Sequence, residues 1–228
     1  LKLIGRFEGD GASLQHGSYK HCAYYGQAYA VAAVAPDSLR RPSLRTPGVV
    51  VVNAIDPSNP KAVAYLQSPA MLDPWESLKV HAGRGLLAAV NGTSSTNGGP
   101  QFDVYDIAKD CANPVLLASI TMDDMKLKGQ EGNWAPDGLT YYGADLENKI
   151  YYAIDLSDPT KPKYLTQWKV PEQDLGVHGM SFSKDGTRGY FILQGQGGAN
   201  SRNGFGIYDL TAIQKRQNNP EVRLISTA

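Results

Sequence analysis

The sequence is poor in the residues that usually announce chemistry, with 4 histidines and 2 cysteines in 228 positions. Two cysteines cannot make a disulfide scaffold, so the fold has to rest on an apolar core. A chain of this length can bury a sizeable one. An excess of one charge is also missing, because 22 basic residues offset 22 acidic ones. That balance excludes the basic surface a nucleic-acid binder or anionic-membrane binder needs. Long apolar runs are absent as well. Residues 48–52 (GVVVV) have the length of a strand and are far too short to cross a bilayer as a helix. No leader pattern opens the chain, which starts on a strand-like stretch, as expected of a processed product or a segment of a longer protein.

What is abundant is glycine (24), proline (14) and tyrosine (13). This mixture suits many short strands joined by tight turns, with amphipathic rings at half-buried positions. The strands repeat. Residues 50–60 (VVVNAIDPSNP), 102–107 (FDVYDI), 150–159 (IYYAIDLSDP) and 205–210 (FGIYDL) share one pattern of a β-run ending in Asn or Asp. A proline and a further β-run follow each of them, as at Pro114, Pro162 and Pro220. Physically, the Asn or Asp ends one strand by bonding the next backbone amides. Proline, lacking an N–H, then opens an edge strand. Taking Asn53, Asp106, Asp155 and Asp209 as equivalent, the intervals are 53, 49 and 54 residues. A second element alternates with the first: strand, turn, strand, as in residues 133–142 (NWAPDGLTYY) and 181–192 (SFSKDGTRGYFI). Residues 78–87 and 22–31 are looser versions of it, which puts Cys22 on an inner strand.

A period near fifty residues with two hairpin-like halves predicts an all-β fold, a β-propeller of about four four-stranded blades. The blades are expected at about 16–68, 75–122, 130–170 and 177–228 of a single segment spanning 1–228. Residues 1–8 read as one extra outer strand of a preceding blade, so the chain is expected to be an arc of a larger ring of about six to eight blades. The alternating motifs resemble those of LVIVD-repeat propellers, and the SKDGTRGYF stretch resembles the YVTN type. That resemblance covers the whole chain. It implies a secreted or surface-associated protein. Neutral charge, flexible loops on one face and no catalytic constellation add the expectation of a ligand- or protein-binding or assembly module acting through its loop-bearing face, with the remaining blades of the same propeller or another protein chain as partners. The resemblance fixes no single activity, because such propellers serve many.

Aligning the hairpins puts His21, Glu76, Gln130 and His178 at the start of the channel-lining strands, with Glu131 beside them and His16 in the connection before them. These residues form the candidate ligand site, which also suits a small-molecule ligand. Two imidazoles and a carboxylate at His21, Glu76 and His178 would suit a single transition metal, Zn, Cu or Fe. The alternative function is therefore a metal-dependent oxidase or hydrolase. A structural role is the competing reading, each polar side chain fastening its own loop. The cysteines could pair if the protein is secreted. Their expected places, an inner strand of one blade and the outer loop of the next, instead predict two free or separately paired thiols. His81 reads as a solvated turn residue, Trp134 and Trp168 as core, and Trp75 as the aromatic nearest the ligand face. Long loops at residues 36–45, 91–100 and 194–204 are expected on that same face.

Overall fold

A computed structural model describes residues 1–8, 15–26, 48–91, 101–121, 128–170, 175–195 and 203–228. The described residues form four four-stranded antiparallel sheets, each made from strands consecutive in the chain. Blade 1 holds β1 (His16–Tyr19), β2 (Cys22–Gly26), β3 (Val49–Asn53) and β4 (Lys61–Leu66). Blade 2 holds β5 (Lys79–His81), β6 (Leu86–Val90), β7 (Gln101–Asp106) and β8 (Val115–Thr121). Blade 3 holds β9 (Glu131–Trp134), β10 (Thr140–Asp145), β11 (Ile150–Asp155) and β12 (Lys163–Lys169). Blade 4 holds β13 (Leu175–Phe182), β14 (Arg188–Gly195), β15 (Gly204–Asp209) and β16 (Arg223–Thr227).

The repeat is visible in the hydrogen bonds. Each third strand ends in the expected side-chain turn: Asn53 Oδ1 accepts from the Ile55 amide at 2.9 Å and Asp106 Oδ1 from Ala108 at 2.7 Å. Asp155 Oδ1 accepts from Ser157 and Asp209 Oδ1 from Thr211, both at 3.0 Å. A register shift between third and fourth strands recurs at the same place in every blade, after Val51, Val104, Ala153 and Ile207. Such bulges sharpen the twist that lets neighbouring sheets nest. The Asp-Gly turns also hold, with Gly138 and Gly186 both at a φ of +70°, which a side chain would resist. In blade 4 the Asp209 turn after β15 runs on into a short helix, α1 (Thr211–Gln214).

In the two middle blades, alternation divides each inner strand between two cores. In blade 2, Leu87, Ala89 and Tyr105 face blade 1, whereas Leu86, Ala88, Val90, Phe102 and Val104 face blade 3. The third core joins blades 3 and 4 through Tyr142, Tyr151, Phe191 and Tyr208, with Trp168 packed against it. Three cores serve four blades, so the described chain is an open arc. Residues 1–8 form no strand. They run along blade 1, where Gly5 abuts Pro57 and Ser58 and the Phe7 ring lies 6.4 Å from that of Tyr25.

Two expectations need correction here. His81 is no solvated turn residue: its ring lies 5.7 Å from Trp134, and Nε2 is 3.1 Å from the Pro136 carbonyl of blade 3. It fastens one blade to the next. The cysteines are not separate thiols either, because Cys22 and Cys111 form a disulfide with Cα atoms 5.9 Å apart. The error lay in the first hairpin. Its turn is Lys20-His21, with Lys20 at a φ of 53° and no glycine to mark it. Cys22 therefore opens β2 at the turn end of blade 1, beside the β7–β8 loop of blade 2 that carries Cys111. The same contact is reinforced by Tyr24, whose hydroxyl donates to the Cys111 carbonyl at 2.8 Å, and by Lys20, which donates to Ala108 O at 2.8 Å.

The bond closes a sequence separation of 89 residues, and loops of that length commonly lend about 2–5 kcal/mol. Reduction, or Cys22→Ser with Cys111→Ser, is expected to lower the unfolding free energy by that amount in a denaturant titration. An unchanged midpoint under reductant would mean that the two sulfurs are not bonded in solution.

Candidate functional site

The polar cluster forms where blades 2, 3 and 4 meet at the channel end of their first strands. Residue 76 precedes β5, and its amide donates to the Gln130 carbonyl at 3.0 Å. A parallel bridge pairs Glu76 with Glu131, the first residue of β9. Trp75, at a φ of 44°, turns the chain into this bridge, a backbone position that costs a bulky residue about 1–3 kcal/mol. From the other side comes His178, at a register irregularity of β13 between Val177 and Met180. Its amide hydrogen-bonds the Tyr151 hydroxyl at 2.9 Å, and a bulge of this kind re-aims a side chain.

The convergence is close. His178 Nε2 lies 3.2 Å from Glu76 Oε2. One ligand atom from each of Glu76, Glu131 and His178 falls within 4.8 Å of the other two. Lys79 Nζ contacts Glu131 Oε1 at 2.8 Å and also donates to the Gln15 side chain. Gln130 Nε2 is 3.5 Å from His178 Nε2, at the outer limit of a hydrogen bond. Burial pushes the Glu131 carboxyl upward, the Lys79 ammonium opposes that shift, and the Glu76 charge adds to it. In this buried setting Gln130 Oε1 receives no hydrogen bond, whereas Glu76 Oε2 has the His178 imidazole beside it. A buried acceptor left unpaired costs about 1–3 kcal/mol.

Of the residues singled out in the sequence, Glu76, Gln130, Glu131 and His178 are thus brought together. His21 is not among them. It occupies the β1–β2 turn at the other end of its blade, with Nε2 3.5 Å from Cys111 Sγ. The mis-registered first hairpin explains this too, since it is His16, exposed, that opens β1. Of the expected set His21, Glu76 and His178, the last two lie together, and Glu131 rather than His21 lies beside them, a trio whose donor atoms could hold a metal ion. Lys79 escaped the sequence reading. Its signal was a lysine on a short channel strand three residues after Glu76, where alternation alone does not decide which face it takes. Most of the three long loops, residues 36–45, 92–100 and 196–202, lies outside the described residues.

No protein-family model and no curated protein sequence matches the chain. Solved structures do. Hsv2 from Kluyveromyces lactis superposes with a TM-score of 0.59 at 12% identity, covering 94% of this chain and 54% of that one. The periplasmic gluconolactonase PpgL of Pseudomonas aeruginosa gives 0.57 at 13% identity over 79% of this chain and 50% of its own. The Cps50 β-propeller domain of Myceliophteria thermophila gives 0.55 at 11% identity, over 91% and 55%. The fold is a β-propeller. The chain spans about half the length of these structures, in keeping with an arc. Among its described residues no helix is long and apolar enough to cross a membrane.

Close to the cluster, Asp73 is 4% exposed and burial raises its carboxyl to about 6. The fold therefore favours the protonated acid. Its contribution is full below the unfolded carboxylate range of about 4, and it is lost as the pH rises through about 6. Asp73→Asn should then become stabilising relative to wild type, by about 2 kcal/mol more at pH 7 than at pH 4. Urea unfolding of both proteins at both pH values checks this; a difference that stays constant with pH would contradict the assignment.

Proposed function

We propose that the chain is part of an LVIVD-type propeller, secreted or surface-associated, that works as a binding and assembly module. The observation that carries this reading is one repeated position, four residues before each turn-forming Asn or Asp. In blades 1 to 3 it is held by Val49, Phe102 and Tyr151, each 0% exposed against the next blade. In blade 4 it is Phe205, 37% exposed. Its neighbour Ile192, paired to it across the sheet just as Val90 is to Phe102, is 41% exposed. The Tyr190 ring, 6.3 Å from that of Phe205, continues the patch.

Among the described residues, blade 4 thus presents the face that its siblings bury, with no further sheet packed against it. The partner it fits is another blade-type sheet, whether from the remaining blades of the same propeller or from a separate chain. The length comparison supports the first source. The extracytoplasmic placement has its support in the Cys22–Cys111 disulfide, a bond that persists in oxidising compartments. Covering the part of Ile192 and Phe205 that is still exposed, 41% and 37%, would contribute about 0.6–1.2 kcal/mol for each side chain.

Light scattering and uptake of a hydrophobic dye by this 228-residue chain test the reading. Self-association or strong dye uptake is expected, and Ile192→Lys with Phe205→Lys should abolish it while leaving the unfolding midpoint nearly unchanged. A monodisperse monomer that takes up no dye would remove the case for an assembly face.

A further inference from the structure

We infer that Glu76, Glu131 and His178 form a site for a single divalent cation of the zinc class, with Lys79 as the resident counter-charge that a bound metal displaces. This goes beyond the assembly reading and stands independently of it.

The chemistry of the donor set comes first. One imidazole nitrogen and two carboxylates match the mixed nitrogen and oxygen ligation that zinc accepts. Three protein ligands leave a fourth position of a tetrahedron free, the arrangement of sites that admit water or a small ligand. The donors come from three different blades: Glu76 from the approach to β5, Glu131 from β9 and His178 from β13. A cation there would therefore tie together elements distant in sequence.

Charge and polar satisfaction agree. Two carboxylates face one ammonium, and Lys79 contacts Glu131 alone of the two, at 2.8 Å. Glu76 Oε2 is buried without a hydrogen-bond donor of good geometry. Gln130, 7% exposed, has its amide against His178 and its Oε1 buried and unpartnered. Beside a pair of carboxylates, the unpartnered Gln130 Oε1 is satisfied by the water a cation carries, and Glu76 Oε2, which has the His178 imidazole at 3.2 Å without good hydrogen-bond geometry, by the cation itself. Lys79 has a second partner to fall back on, the side-chain oxygen of Gln15. It can release Glu131 without being stranded.

The rival donor cluster is His21 with Cys22 and Cys111. There the sulfurs are bonded to one another, so with the disulfide intact no thiolate is available for a metal.

The test titrates Zn²⁺, and Co²⁺ as a spectroscopic stand-in, into the metal-stripped, disulfide-intact chain by calorimetry and visible absorption. One equivalent is expected to bind. His178→Ala and Glu131→Gln should each weaken binding by at least tenfold, Lys79→Met should tighten it several-fold, and His21→Ala should leave it unchanged. The rise in unfolding temperature with Zn²⁺ should follow the same order, which separates lost ligation from lost folding. Because Glu131→Gln keeps the side-chain shape, it serves if His178→Ala fails to fold. The proposal is overturned if wild type and Lys79→Met both bind no stoichiometric metal. It is equally overturned if His21→Ala abolishes binding while His178→Ala retains it. Dye uptake at the blade 4 face is unaffected by either result, so the two readings fail separately.

Discussion

A four-stranded sheet with apolar side chains on both faces cannot cover itself. Every blade of this protein depends on a neighbour to bury what it cannot. The alternation of Leu86, Ala88 and Val90 against Leu87 and Ala89 illustrates the constraint, because one strand feeds two separate cores. The aromatic residues set the spacing between sheets. Tyr141, fully buried, meets Phe102 of blade 2 with ring centroids 5.1 Å apart, and Tyr151 and Phe191 meet at 4.6 Å across the next interface. Two of the buried hydroxyls are spent on backbone: Tyr141 donates to the Ser77 carbonyl, and Tyr151 to that of Ile192 at 2.6 Å.

This dependence links the fold to the site. Glu76, Glu131 and His178 belong to three blades, and none of them is held near another by local structure. Blade stacking places β9 beside both β5 and β13, and the stacked rings fix that distance. The Tyr151 hydroxyl, lodged in the core between blades 3 and 4, also receives the His178 amide. A change in that core would therefore be felt at the histidine. The disulfide acts at the opposite end of the molecule. It pins blade 1 to blade 2 where the turn loops meet, away from the polar cluster.

The third-strand ending was legible because it is local. Asn53, Asp106, Asp155 and Asp209 each bond an amide two residues on, and a bond that short is written in consecutive residues. The hairpins marked by Asp-Gly were legible for the same reason. The first hairpin was not, since its turn at Lys20-His21 has no glycine and places a lysine in the left-handed region. That single misreading moved His21 into a site it does not share and separated two cysteines that are bonded. His81 was misjudged for a related cause, because its partners, Trp134 and Pro136, lie on another blade.

The sequence by itself determined the class of fold, the repeat that the four described blades follow and where each third strand stops. Period, alternation and side-chain turns are all short-range, and each is specified by neighbours along the chain. Only the tertiary structure decided which polar residues converge, which face stays bare and that Cys22 meets Cys111. Those are relations between blades some fifty residues apart or more. Their geometry follows from how sheets pack, and sheet packing is set by the summed shapes of many buried side chains, a property no local pattern records.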